Sequence, residues 1–168
     1  MSIADHLMPE FDHEMASTRT LLERLPEAQG AWKPHPKSMS LGDLAVHIAL
    51  TPSWCQLVVQ ETEFDLNPPG GSPLPKRPFT TMAALLNMFD DNVRDARAAL
   101  VAVSDGDMME MWTLKTAGRV LLSMPRIAVY RAMVMNHLIH HRGQLTVYAR
   151  MHDVPLPAIY GPSADTPM

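Results

Sequence analysis

The stretch Pro125-Arg126-Ile127-Ala128-Val129-Tyr130-Arg131-Ala132-Met133-Val134-Met135-Asn136-His137-Leu138-Ile139-His140-His141-Arg142-Gly143-Gln144-Leu145 decides the fold. Ile127, Tyr130, Val134, His137, His141, Leu145 and Tyr148 recur every three or four residues, the repeat that puts side chains on one face of an α-helix. Proline suits a first helical turn, where its missing N–H is not needed, so Pro125 marks the start and the pattern runs to about His152. An inward stripe that carries two histidines four residues apart is not an ordinary core face.

Upstream of this helix the period changes. Met111-Trp112-Thr113-Leu114-Lys115 and Arg119-Val120-Leu121-Leu122-Ser123 flank Thr116-Ala117-Gly118, which predicts a short β-hairpin that needs a helical surface to lie on. Before it, Met82, Leu85, Phe89, Val93, Ala96, Leu100 and Val103 define an amphipathic helix over about Thr81 to Val103, its other face holding Asp90, Asp91, Arg94, Asp95 and Arg97. Leu66 to Phe79 contains Pro68-Pro69-Gly70-Gly71, Pro73, Pro75 and Pro78, and is predicted to be a long crossover without helix or central strand.

A further helix opens at Ser40-Leu41-Gly42-Asp43, read as a capping box, and carries Leu41, Leu44, Ile48, Trp54 and Val58 towards Thr62. Pro52 should kink or split it, because proline has no N–H for the carbonyl four residues back. The linker Glu27 to Met39 is an irregular crossing anchored by Trp32. The first helix runs from about Ser2 to Leu25, with Ile3, Leu7, Phe11, Met15, Thr18 and Leu22 on one side, Ser2 and Asp5 as its box, and Pro26 as its end. The tail from Val154 to Met168 is expected to be extended. The fold class is therefore all-α: one domain over residues 1–168, a four-helix bundle with long crossover connections and a short β-hairpin before the last helix.

The composition excludes several kinds of protein. With 168 residues, one cysteine and a net charge of −4, the chain has no disulfide framework and no cysteine-rich zinc module, and a reducing, cytoplasmic setting is expected. Only 14 Lys and Arg are present, scattered along the chain, so no nucleic-acid surface is predicted. No apolar run approaches the roughly 18 residues of a membrane span, and the N-terminus lacks the basic and apolar regions of a signal peptide. Four of the eight histidines fall between His137 and His152.

Residues four apart on a helix have Cβ atoms about 5–6 Å apart, so His137 and His141 can offer two imidazole nitrogens to one metal ion. His47, on the inward stripe of the second helix, supplies a third. Three histidines leave one coordination position open for water or substrate. Imidazole suits zinc, nickel, iron and copper alike, so the donor set alone does not choose among them. Leu138 stands where a zinc protease would carry its glutamate, which argues against that chemistry. Cys55, eight residues beyond His47, is expected to pack as a small apolar side chain, and Trp54 either to pack in the core or to wall a cavity. Gln144 reads first as a helix-surface amide, with the alternative that, three residues after His141, it orients a ligand imidazole or a bound water. His140 stands between a supporting role and the surface. Tyr130 and Tyr148 lie near in helical projection. Asn136 reads as a helix-surface amide, Arg142 as a solvated or interface charge, and His6, His13, His35 and His152 as surface histidines.

At these residues the sequence resembles the DinB-like superfamily of metal-dependent enzymes, damage-inducible four-helix proteins related to bacterial YfiT-type proteins and distinct from the DNA polymerase that shares the name. The resemblance is carried by Trp32-Lys33-Pro34, by Ser40-Leu41-Gly42-Asp43-Leu44-Ala45-Val46-His47-Ile48-Ala49, by Trp54, by Asn136-His137-Leu138-Ile139-His140-His141-Arg142-Gly143-Gln144-Leu145, and by the tail from Pro155 to Asp165. It implies a metal site at His47, His137 and His141 holding zinc or nickel, and a homodimer. It also implies transfer chemistry on a small-molecule substrate with a low-molecular-weight thiol of the bacillithiol, mycothiol or glutathione type. A metal-dependent hydrolase and a non-catalytic metal-binding stress-response protein are the alternatives. In either enzyme, His140, Gln144 and Tyr130 are the candidates to assist, and the catalytic residues stay unassigned.

Overall fold

Side-chain caps set most of the helix starts in the computed structural model, which describes residues 1–74 and 76–167. Pro75 of the expected crossover and Met168 at the end of the tail lie outside the described residues. Ser2 Oγ accepts from the Asp5 N–H at 3.1 Å while the Asp5 carboxylate accepts from the Ser2 N–H at 2.7 Å, a full capping box that opens α1 (Ile3–Leu22). Ser40 caps α2 (Leu41–Leu50) through the Asp43 N–H, but the return bond of the predicted box is not made. Thr81 caps α4 (Met82–Ala102) in the same one-sided way. Each of these caps satisfies an N–H that a helix start otherwise leaves without a partner.

Pro52 splits the second helix, as expected. The chain leaves α2 at Leu50, makes a tight turn over Thr51–Ser53 and resumes as α3 (Trp54–Gln60), two residues short of the predicted Thr62. The Ile48 carbonyl, which would otherwise accept from residue 52, is reached by the Thr51 N–H, and Thr51 Oγ1 donates to the His47 carbonyl at 2.9 Å. Beyond α3 the backbone turns extended into a strand that periodicity did not show, β1 (Glu63–Asp65). Three residues are too few for an alternation to register.

β1 lies parallel to β2 (Met111–Thr116), which pairs antiparallel with β3 (Arg119–Pro125), giving the order β1-β2-β3. The predicted hairpin is thus present and gains a third strand. Its turn places Ala117 and Gly118 at φ of 48° and 76°, the left-handed pair that a two-residue hairpin turn requires. The Asp65 carboxylate accepts from both turn amides, at 2.9 and 2.7 Å, which joins β1 to the turn. A short helix, α5 (Asp105–Met109), capped by Ser104, precedes β2.

The final helical run begins with α6 (Arg126–Val129), immediately after Pro125, and ends with α7 (His137–Arg150). Between them Tyr130–Asn136 is wound as a π-helix, an irregularity the sequence reading did not anticipate. α4 packs against α1, α2 and α3, and α2 also packs against α7. Leu22, Leu44, Ile48, Leu85, Phe89, Leu138 and Leu145 are buried where these helices meet. Where a four-helix bundle was expected, the chain is mostly helical with a small three-stranded sheet. No helix among the described residues is long and apolar enough to cross a membrane.

Two sequence expectations are corrected in the packing. Arg142, read as a solvated or interface charge, is 1% exposed and ion-paired with Glu14, its Nη2 standing 2.6 Å from Oε2. Its other donors reach the Glu14 carbonyl at 3.1 Å, Thr18 Oγ1 at 3.2 Å and the Tyr160 hydroxyl at 2.7 Å. Tyr160 in turn donates to the Glu14 carboxylate, so a residue of the tail closes the pair. Helical projection could not show this, because both partners are distant in sequence. His152, read as a surface histidine, is partly buried edge-on against Trp32, with ring centroids 4.5 Å apart. The Trp32 anchor was expected; its partners in α7 and the turn after it were not.

Among the described residues the tail carries no helix or strand, but it is not extended as expected. It loops back so that the Leu156 carbonyl accepts from Ser163 Oγ at 2.7 Å and Thr166 Oγ1 at 3.1 Å, and Asp165 pins it by pairing with Arg150 and accepting from the Leu156 N–H at 2.9 Å. Phe79 holds the far end of the crossover. A Cβ added at Gly42 would come within 2.7 Å of the Phe79 ring, and one added at Gly30 within 2.7 Å as well. Glycine at both positions lets that ring lie against the backbone.

Candidate metal centre

α2 and α7 bring His47, His137 and His141 together. His47 follows the buried Leu44 and precedes the buried Ile48, so its ring leaves the core at the edge of the helix and stays half-buried. His137 and His141, the first and fifth residues of α7, stand one turn apart on the face towards α2. One nitrogen from each of the three rings lies within 4.8 Å of the other two. The ring centroids are 5.0 Å apart for His47 and His137, 4.6 Å for His47 and His141, and 4.4 Å for His137 and His141. No carboxylate or thiolate completes the group among the described residues.

Burial is the main reason that the pKa of His47 is pulled down to about 4, with the neighbouring His141 second. His137 is also lowered to about 4, by burial and then by His141, His47 and His140. Both rings are neutral at pH 7, the form that binds a metal. Their Nε2 atoms are 2.7 Å apart, the contact of two imidazoles sharing one proton. Nitrogens bound tetrahedrally to one ion at about 2.0–2.1 Å stand about 3.3 Å apart, so small ring rotations would open this pair to the spacing of a metal site. The donor set thus fits a divalent ion, and the three histidines are positioned to bind one.

Gln144 orients the third imidazole. Its Oε1 accepts from His141 Nδ1–H at 2.8 Å, which leaves His141 Nε2 with a free lone pair, and its Nε2 donates to His140 Nε2 at 3.0 Å. His140 is exposed, at the end of this chain of hydrogen bonds. Trp54, at the start of α3, lies against His47 and His137 with centroid distances of 5.6 and 5.1 Å. The turn that Pro52 imposes therefore sets a ring wall beside two of the three histidines.

The remaining candidates are elsewhere. Tyr130 is buried without a hydrogen-bond partner for its hydroxyl and has no ring contact with the histidines among the described residues. Burial holds its phenol well above its usual pKa, with repulsion from the Cys55 side next. The π-helix changes the winding between Tyr130 and His137: each of its turns takes about one residue more than the 3.6 of an α-helix, so a face projected between them at α spacing is not kept. Tyr148 packs edge-on against Trp32, and Asn136 is exposed. Cys55 is wholly buried, its thiol pushed up to about 12 by burial.

A cavity of about 710 Å³ opens beside His47, lined also by Ser53, Trp54, Arg77, Asp91 and Asn92. Arg77 and Asn92 escaped the sequence reading. Arg77 lies in the proline-rich crossover and Asn92 on α4, and nothing in their local pattern ties either to a histidine 30 or more residues away.

Fold and site together define a mostly helical protein with a three-histidine cluster between two helices. The sequence profile of the DinB superfamily matches residues 10–145, and the chain belongs to that superfamily. Among solved structures, a DinB-like protein from Bacillus cereus is similar at a TM-score of 0.71 and 21% identity, over 95% of this chain and 98% of that one. The DinB-like protein YjoA from Bacillus subtilis is similar at a TM-score of 0.67 and 20% identity, over 90% and 95% of the two chains. None of the curated proteins matches the chain.

Proposed function

We propose that the protein is a metal-dependent enzyme that joins a low-molecular-weight thiol to an electrophilic small molecule at His47, His137 and His141. The observation that carries this reading is a cluster of three imidazoles with no fourth protein ligand among the described residues, one of which, His47, lines a cavity large enough for a small cosubstrate. A divalent ion held there, zinc or nickel, supplies the positive charge that lowers the pKa of a thiol.

The chain's own residues supply binding and orientation. Gln144 fixes the tautomer of His141, and Trp54 shields one side of His47 and His137 from water. Arg77, which lines the cavity, is the donor for the polar groups of the cosubstrate, while Asn92 donates its amide to the Ala49 carbonyl at 2.8 Å and so holds α4 to α2 at the cavity wall. In the overall reaction the thiol gives up its S–H proton to water, sulfur forms a bond to the electrophilic carbon, and the leaving group departs with the bonding pair. A homodimer, implied by the resemblance alone, belongs to the same reading and is measured by light scattering.

The test begins with the metal content of protein purified without a histidine tag. Chelated protein is then reloaded with zinc, nickel or cobalt and assayed with thiol and electrophile pairs. Activity that follows the metal, and a cobalt spectrum that changes on adding thiol, are expected. Activity that is unchanged by chelation or by His137→Ala would end the proposal.

A further inference from the structure

Trp54 borders two spaces of opposite character. On one side is the cavity beside His47, with polar side chains at its mouth. On the other is a chamber of about 190 Å³ between α3, the sheet and the start of the last helical run, and every residue that lines it is apolar. Leu57 and Val58 come from α3, Phe64 from β1, Trp112 and Leu114 from β2, and Met133 from the π-helical turn. The indole N–H of Trp112 is already taken, donating to the Leu57 carbonyl at 3.2 Å. Leu74 of the crossover, together with Trp54, lines both spaces.

We infer that this chamber receives the apolar limb of the electrophilic substrate, a group the size of one benzene ring or a branched chain of five to seven carbons. Volume sets the size: an apolar protein cavity of roughly 150 Å³ stays dry and takes up benzene. The lining sets the chemistry, because a polar limb would lose its water and find no partner there. Position sets the role. The wall shared by the two spaces is the ring that lies on His47 and His137, so a molecule reaching round Trp54 and under Leu74 puts an apolar end in the chamber and its reactive end beside the histidines. The three-stranded sheet then has a function in the fold, since β1 and β2 form one wall of the chamber. The inference rests on the thiol-transfer reading for the identity of the reaction, and on the chamber alone for what binds.

Toluene is the probe, titrated into chelated, metal-free protein and followed by tryptophan fluorescence and by the melting temperature. Saturable binding is expected, weakened at least tenfold by Met133→Trp, which fills the chamber. Leu74→Asp is expected to weaken it comparably by placing a charge at the chamber's edge, on a side chain already 37% exposed and so tolerant of change. Metal-loaded protein is then given a thiol with a benzylic or a methyl electrophile, and at least a tenfold preference for the benzylic one is expected. Toluene that fails to bind saturably, or that binds folded Leu74→Asp and Met133→Trp as well as the parent, overturns the inference. Transfer to both electrophiles at equal rates also overturns it while leaving the thiol-transfer reading intact. Saturable toluene binding that both variants weaken, with no transfer to any electrophile, upholds the chamber and removes the thiol-transfer reading.

Discussion

Replacing Arg142 with methionine deletes the positive half of an ion pair whose members are 1% and 4% exposed. Glu14 is left with a buried carboxylate whose remaining partner is the Tyr160 hydroxyl, and Thr18 and the Glu14 carbonyl each lose a donor. Removing one member of a buried pair costs about 3–5 kcal/mol, because the charge that stays behind has been taken out of water without compensation. For a chain of this length each kcal/mol is worth about 2–4 °C, so the melting temperature should fall by about 6–20 °C. The double variant Glu14→Met with Arg142→Met removes both charges and keeps apolar bulk, and should recover at least about 2 kcal/mol relative to the sum of the single losses. Tyr160→Phe, which deletes only the bridging hydroxyl, should cost about 1–2 kcal/mol. Urea denaturation of the metal-free protein, read by circular dichroism, gives all four values. An Arg142→Met loss below about 1 kcal/mol, or strict additivity in the double variant, would refute the argument that this pair ties α1, α7 and the tail together.

Gln144→Leu removes the acceptor for His141 Nδ1–H and is expected to weaken metal binding about 10–100-fold by calorimetry while leaving the fold intact. His47 and His137 have folded pKa values of about 4, below the ordinary value of 6.5, so between those pH values the unfolded chain binds protons that the folded one does not. The stability of the metal-free protein should therefore fall as pH drops from about 6.5 towards about 4, a loss that His47→Gln with His137→Gln reduces; a flat profile in denaturant midpoint would contradict it. Cys55 should resist thiol reagents in the native protein and react on unfolding, which a colorimetric titration with and without denaturant reads directly. Gly42→Ala should destabilise by about 1–3 kcal/mol, because the new methyl group meets both the Phe79 ring and the Gly30 carbonyl.

Much of the helical order was legible in local pattern. Ser2 and Ser40 stand where caps were expected, and the stripes of α1 and α4 bury most of the side chains their spacing predicted, whereas α7 buries Leu138, Arg142, Leu145 and Ala149 and leaves His137, His141 and Tyr148 half-buried beside them. The hairpin was readable because its turn demands left-handed residues and Ala117-Gly118 follows a strand-like run. β1 was not readable, since a three-residue strand exists only by pairing with β2 across some 50 residues. The π-helix was unreadable for a related reason: projection assumes a constant 3.6-residue turn, and a π-helix is set by what packs around it.

By itself the sequence determined that His137 and His141 share a helix face, because spacing along a helix is a local property of backbone geometry. It determined the break at Pro52 and the cap at Ser40 for the same reason. Only the tertiary structure decided that His47 stands 2.7 Å from His137, that Trp54 covers both, and that Arg142 lies in the core against Glu14 instead of in water. Those facts depend on which helices lie side by side. That choice comes from burying the whole set of apolar faces at once, and no window of the chain records it.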